Sequence, residues 1–107
     1  MKNEELYLLQ ADVFKVYANP LRIEIIELLS EQPLSFKELM DTTGALKSNL
    51  SQHLTLMTKN GLIITSKVGL HNHYELSSKK VMKACVLIKK IMIDNMKSKN
   101  ALIDSLK

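Results

Sequence analysis

Apolar residues in the first third of the chain recur at helical spacing. Leu6, Leu9, Val13 and Val16 share one face of a segment from about Asn3 to Ala18, and Glu4 and Glu5 stand in its first turn, where the helix dipole favours carboxylates. Asn19-Pro20 interrupts this run. Asn is a helix cap and Pro suits the first helical position, so a second helix starts at Pro20 and continues to about Glu31, with Leu21, Ile25, Leu28 and Leu29 inward. Gln32-Pro33 ends it. Leu34-Ser35-Phe36 begins extended; Ser35 with Glu38 then forms a capping box, which predicts a short third helix to Thr43 that Gly44 closes in the left-handed conformation. After Gly44-Ala45-Leu46 comes a fourth helix, from about Lys47 to Asn60, with an apolar stripe of Leu50, Leu54 and Met57 at i, i+4 and i+7.

The period then changes. Leu62 to Val68 is rich in β-branched residues, Gly69-Leu70-His71-Asn72 is turn material, and His73-Tyr74-Glu75-Leu76 alternates as a return strand. From Ser78 to about residue 97 the pattern is helical again, but apolar on more than one face: eleven apolar residues lie between Val81 and Met96. A helix apolar most of the way round needs cover on two sides, and a chain this short covers only one. The expectation is a homodimer formed through the first and last helices, with Leu6, Leu9, Val13, Val81, Cys85, Ile88 and Met92 at the interface.

Two short helices joined by a tight Gly-containing turn make a helix-turn-helix, and the hairpin behind it makes the motif winged. The fold class is therefore mainly α with a small β-hairpin: about five helices in one domain of 1–107, with the helix-turn-helix at about 35–60, the wing at about 62–76 and the dimerisation helix at about 78–97.

Burying Leu50, Leu54 and Met57 leaves Lys47, Ser48, Asn49, Ser51, Gln52 and Thr55 outward, short polar side chains suited to base edges and phosphates. No carboxylate occurs from Lys47 to Tyr74, where an ordinary exposed helix would carry Glu–Lys pairs. The net charge of +4 is uneven as well: residues 1–46 hold four Lys/Arg against eight Asp/Glu, residues 47–83 six against one, and the remainder five against two. A basic middle behind an acidic front points to one face meeting a polyanion. The expected partner is double-stranded DNA, read by Lys47, Ser48, Asn49, Ser51, Gln52, His53 and Thr55, with Lys59, Lys67 and the wing residue His71 alongside. His53 is expected to have a structural part too.

Several short stretches carry a family resemblance. Ala18-Asn19-Pro20-Leu21-Arg22-Ile23-Glu24-Ile25-Ile26 resembles the start of the second helix in the arsenic-repressor-like (ArsR/SmtB) transcription factors. Leu50-Ser51-Gln52-His53-Leu54 is similar to their recognition-helix core, Asn60-Gly61-Leu62-Ile63 to the segment that follows it, and Gly69 with Tyr74-Glu75-Leu76 to their wing. The resemblance covers roughly residues 10 to 95 and preserves order and spacing. It implies a homodimeric winged-helix repressor of a palindromic operator, released by a signal.

Two departures stand out. Lys47 occupies the place where the family has a capping Ser or Thr, so the recognition helix is expected to fray there or to begin at Ser48. Where many metal-sensing members carry cysteines, this chain has Leu34-Ser35-Phe36-Lys37-Glu38-Leu39, and the ligand positions of the last helix hold Ser78, Lys80, Ile91 and Asp94. Lysine and isoleucine do not ligate zinc as imidazole and carboxylate do. No metal or other cofactor is expected, binding should not respond to zinc, arsenite or cadmium through those positions, and the inducer is unknown. His71 and His73 would share one strand face, but no further ligand lies near them in sequence. Cys85 is a lone thiol on an apolar helix, which favours a packing role over redox sensing.

Catalysis finds no support, since all three glycines fall at caps or turns and no nucleophile–base pair is suggested by spacing. The acidic start Met1-Lys2-Asn3-Glu4-Glu5 does not resemble a signal peptide, and no run approaches the ~18 apolar residues of a membrane span, so a cytoplasmic location is expected. The competing readings are a metal- or redox-responsive sensor with a non-standard site and a winged-helix protein-interaction module. The second should lack the carboxylate-free basic surface.

Overall fold

A computed structural model describes residues 1–107. Helix α1 spans Asn3–Tyr17 and α2 spans Pro20–Glu31. Asn19 makes the joint: its side-chain oxygen accepts the Arg22 backbone N–H at 3.2 Å, and Pro20 takes the first helical position. Strand β1, Leu34–Ser35, runs into α3, Phe36–Thr43, through the expected capping box, with Glu38 N donating to Ser35 Oγ at 3.1 Å and Ser35 N donating to Glu38 Oε1 at 3.0 Å. Bonding to Ser35, first through its backbone N–H and then its side chain, holds the Glu38 carboxyl below the usual carboxylate range. Gly44 closes α3 at φ +72°.

Helix α4 spans Lys47–Lys59, β2 Ile63–Val68, β3 His71–Leu76 and α5 Lys79–Ser105, the last capped by Ser78 Oγ, which accepts from Lys80 N at 3.2 Å. Three expectations need correction. First, of the two starts expected for α4, Lys47 holds and Ser48 does not: Leu46 is the extended cap residue, and it supplies no side-chain bond. Second, the hairpin loop is Gly69-Leu70 alone, not four residues, because Val68 pairs with His71. Gly69 has φ +65° and Leu70 a negative φ, the type II′ pattern in which glycine leads a two-residue loop. Third, α5 continues to Ser105, beyond the expected end near 97, since no Gly or Pro interrupts residues 97–105.

The wing also has a third strand. β1 pairs antiparallel with β3 (Leu34 with Tyr74, Ser35 with His73), giving the order β1-β3-β2 and tying the hairpin to the start of α3.

Thirteen buried residues form one cluster, contributed by α1 (Val16), α2 (Ile25, Ile26, Leu29), β1 (Leu34), α3 (Leu39), α4 (Leu50, Leu54, Met57), Leu62, Ile63 of β2, and α5 (Val81, Cys85). Val81 and Cys85, expected at the dimer face, are thus packed inside the protomer, at 7% and 9% exposure. They sit on the N-terminal turns of α5, where its inner face lies against the core, and Tyr17 locks that contact by donating its hydroxyl to Val81 O at 3.1 Å. The other five expected interface residues, Leu6, Leu9, Val13, Ile88 and Met92, are exposed in the protomer. They belong to apolar faces that also include Tyr7 and Phe14 on α1 and Ile91 and Met96 on α5. The radius of gyration is 17.1 Å, against about 13 Å for a compact chain of ~100 residues, because α1 and the far half of α5 project from the core. No helix is long and apolar enough to cross a membrane.

Candidate nucleic-acid interface

Helix α4 is pinned by Leu50, Leu54 and Met57, at 0%, 2% and 0% exposure, so its opposite face is fixed outward. Lys47, Ser48, Asn49, Ser51, Gln52, Thr55 and Lys59 are all exposed on it. Its N-terminus has no side-chain cap, and the first helical bond is Leu50 N to Leu46 O at 2.9 Å. The backbone N–H groups of Lys47, Ser48 and Asn49 are therefore left facing outward at the positive end of the helix dipole, beside the Lys47 ammonium. Thr55 Oγ1 donates to Ser51 O at 2.8 Å, which fixes its rotamer and leaves its lone pairs available.

A groove of about 350 Å³ runs between α4 and the wing, lined by Ser51, Thr55, Thr58 and Lys59 on one side and Thr65 and Tyr74 on the other. Thr65 and Tyr74 are paired across β2 and β3. Sequence reading missed both; the signal was strand alternation from the inward Ile63, which sends Thr65 and Lys67 to the same face. Lys67 pairs with Asn72 and so shares this face with Asn72 and Tyr74. His71 does not. It pairs with Val68, which places it on the reverse face with His73, where a second cleft is lined by Ser35, Lys37 and Glu38 of the α3 end. The structure therefore puts Lys67 on the sheet face that borders the α4 groove and His71 on the other.

His71 and His73 share a face as expected, and His73 Nδ1 is enclosed without a hydrogen-bond partner. No group of three or more His, Cys, Asp or Glu side chains converges anywhere in the chain. The positions that correspond to family metal sites do not fit a metal either: Ser35 and Ser78 are helix caps with committed hydroxyls. Burial, and then the nearby Glu27 carboxylate, push the Cys85 thiol up, away from thiolate chemistry.

His53 is half-buried and turned toward α2. Its Nδ1 lies 3.3 Å from Arg22 Nη1, and a guanidinium only donates, so the imidazole is the acceptor and carries its proton on Nε2. Burial, and then the Arg22 charge, lower its pKa from 6.5. Arg22 was not singled out from the sequence, although a cation in the first turn of a helix sits at the unfavourable end of the dipole unless something engages it. Here Nε donates to Val16 O at 2.9 Å and Nη2 to Lys15 O at 3.1 Å.

The lowered pKa has a signed consequence for stability. Below about 6.5 the unfolded chain takes a proton that the native imidazole resists, so this contribution is complete above that pH and is lost as pH falls through the lower native value. His53→Gln should remove that part of the acid-side loss while keeping an acceptor toward Arg22. Urea midpoints measured at equal protein concentration from about pH 7.5 down to about pH 5 test this; identical pH profiles for both proteins would refute it.

The comparisons agree with this geometry. The family model described as "Bacterial regulatory protein, arsR family" matches residues 19–65, from the cap of α2 into β2. The uncharacterized HTH-type transcriptional regulator Rv0081 of Mycobacterium tuberculosis is 31% identical over 108 residues, covering 100% of this chain and 95% of that protein. Its crystal structure superposes with a TM-score of 0.82 at 30% identity, over 88% of this chain and 95% of that one. The arsenical resistance operon repressor of Escherichia coli is 35% identical over 72 residues, 66% of this chain and 62% of that protein. The transcriptional activator HlyU of Vibrio cholerae is 36% identical over 69 residues, 64% of each, and a structure of HlyU from that organism gives a TM-score of 0.71 at 30% identity, over 85% of this chain and 97% of that one. With the winged helix-turn-helix in place and a full-length relative above 30% identity, the chain belongs to the arsR family of bacterial transcriptional regulators.

Proposed function

We propose that the chain is a single-domain, homodimeric repressor that binds a palindromic operator in duplex DNA and is released by a signal not yet identified. The observation that carries this reading is the outward face of α4: short polar side chains, two lysines and no carboxylate, held rigidly opposite Leu50, Leu54 and Met57. Such a face offers donors to base edges and does not repel phosphate. The exposed apolar residues of α1 and α5 support the dimer, because contiguous apolar surface of this kind marks an interaction site. Two α4 helices about 34–36 Å apart would enter successive major grooves, and repression follows from occupying a promoter-proximal site. One relative is named a repressor and another an activator; the position of the operator relative to the promoter decides between these outcomes.

Within the interface, Gln52 and Ser51 read bases and Lys47, Lys59 and Lys67 contact phosphates. Lys67→Ala should weaken all duplexes about equally and lower the salt slope by about one unit. Gln52→Ala should relax preference at one base pair, at a cost of roughly 1–3 kcal/mol. Selection of bound duplex from a random pool, then titration of each variant against the selected and a scrambled sequence, tests both. If Gln52→Ala weakened the two sequences equally, the base-reading face would be wrongly assigned. If the wild-type protein enriched no sequence at all, the DNA-binding reading would fall.

A further inference from the structure

We propose that Arg22 is a positioning residue, clamping the C-terminal end of α1 to the middle of the recognition helix α4 so that α1 sets the recognition helix's orientation. The inference rests on the DNA-binding reading above and adds a residue to it. All three arms of the guanidinium are used, on two elements other than its own helix. Nε and Nη2 reach Val16 O and Lys15 O at 2.9 and 3.1 Å, and Nη1 reaches His53 Nδ1 at 3.3 Å. Lys15 and Val16 lie in the last turn of α1, whose final carbonyls sit at the negative end of the dipole; Lys15 O also accepts the Ala18 backbone N–H at 3.2 Å. Val16 is wholly buried, so the carbonyl end of the clamp is anchored in the core. The other end grips His53, flanked in sequence by Gln52 and by the buried Leu54.

The clamp is directional in a way that apolar packing is not. Leu50, Leu54 and Met57 hold α4 against the core, but an aliphatic stripe tolerates a few degrees of rotation about the helix axis. A planar fork with fixed donor directions does not. Because α1 carries part of the exposed apolar face, a shift of one protomer against the other would reach α4 through this side chain.

The test uses the full-length protein and the duplex it selects from a random pool, compared with a scrambled duplex of equal length. Arg22→Gln should lose roughly 2- to 30-fold in affinity for the selected duplex, the span found for residues that couple sites without touching ligand. Affinity for the scrambled duplex and the salt slope should stay unchanged, and sedimentation should still show a dimer. His53→Leu, which leaves both carbonyl bonds of Arg22 intact, should lose selectivity by a similar factor; His53→Gln, which keeps an acceptor, should lose less. The double variant Arg22→Gln with His53→Leu should lose no more than the worse single, since each breaks the same link. The imidazole ¹⁵N spectrum supplies a signature independent of DNA: wild-type His53 should show an unprotonated Nδ1 whose resonance shifts in Arg22→Gln. A salt slope lowered by about one unit with equal loss on both duplexes would make Arg22 a phosphate contact instead and overturn the proposal. Full selectivity in a folded Arg22→Gln dimer would also overturn it. Should Arg22→Gln fail to fold, selectivity lost or retained in His53→Leu decides in the same way. A wild-type protein that selects no duplex refutes the DNA-binding reading itself, while the ¹⁵N signature still reports whether the clamp forms.

Discussion

Replacing Ile88 with aspartate is expected to dissociate the protein into monomers and to weaken binding to a two-half-site duplex by about 10²- to 10⁴-fold, the range by which joining two modules raises avidity. Ile88 is 48% exposed in the protomer and lies one turn from Met92 at 52% on α5, outside the buried cluster. A carboxylate there costs the single protomer little. In a dimer that covers both residues it would be stripped of water, and burial of a charge is among the most costly changes available. Sedimentation velocity at micromolar concentration reads the dissociation, and titration of a selected duplex reads the affinity. A variant that remains dimeric, or a wild-type protein that sediments as a monomer, would show that α5 does not form the interface.

Local rules account for what the sequence made legible. The Asn19-Pro20 joint, the Ser35–Glu38 box, the Gly44 stop and the Leu50–Leu54–Met57 stripe each involve residues within a few positions of one another, and every one is present. What stayed hidden depends on distant partners. The extended start at Leu34-Ser35 was legible, but its pairing as β1 with Tyr74 and His73, about 40 residues on, was not. Arg22 and His53 are 31 positions apart, on different helices. The separation of His71 from Lys67 follows from the two-residue loop; a four-residue turn would have left His71 without a strand face. Val81 and Cys85 show another limit. On a helix apolar most of the way round, periodicity says that both sides are covered but not which residues meet the protomer's own core and which meet a second chain. The extra length of α5 has a similar cause: residues 97–105 contain no helix breaker, and the fading apolar run after Met96 is not a stop signal.

Leu50→Ala is expected to cost about 2–5 kcal/mol of stability, while Ser51→Ala, one position along the same helix, should stay within about 0.5 kcal/mol. Leu50 is fully buried in the cluster that contains Leu54 and Met57, and truncating it leaves a cavity that the surrounding elements fill only in part. Ser51 is exposed; its backbone carbonyl accepts the Thr55 hydroxyl at 2.8 Å, a bond that truncation of its own side chain leaves in place. Neighbouring residues on a helix point about 100° apart, so the contrast directly tests which face of α4 is turned inward. The loss at Leu50 is large against the roughly 5–15 kcal/mol that separates folded from unfolded domains. Of the thirteen buried residues in the protomer, α4 contributes three, Leu50 among them. Urea unfolding at one fixed protein concentration, needed because dimer formation adds to stability by mass action, should show the midpoint of Leu50→Ala falling with an unchanged slope. The consequences for DNA should run the other way: Ser51→Ala should alter selectivity at full stability, because its hydroxyl belongs to the proposed base-reading face. A Ser51→Ala variant less stable than Leu50→Ala would mean that α4 is rotated and that the face assigned to DNA is the one packed against the core.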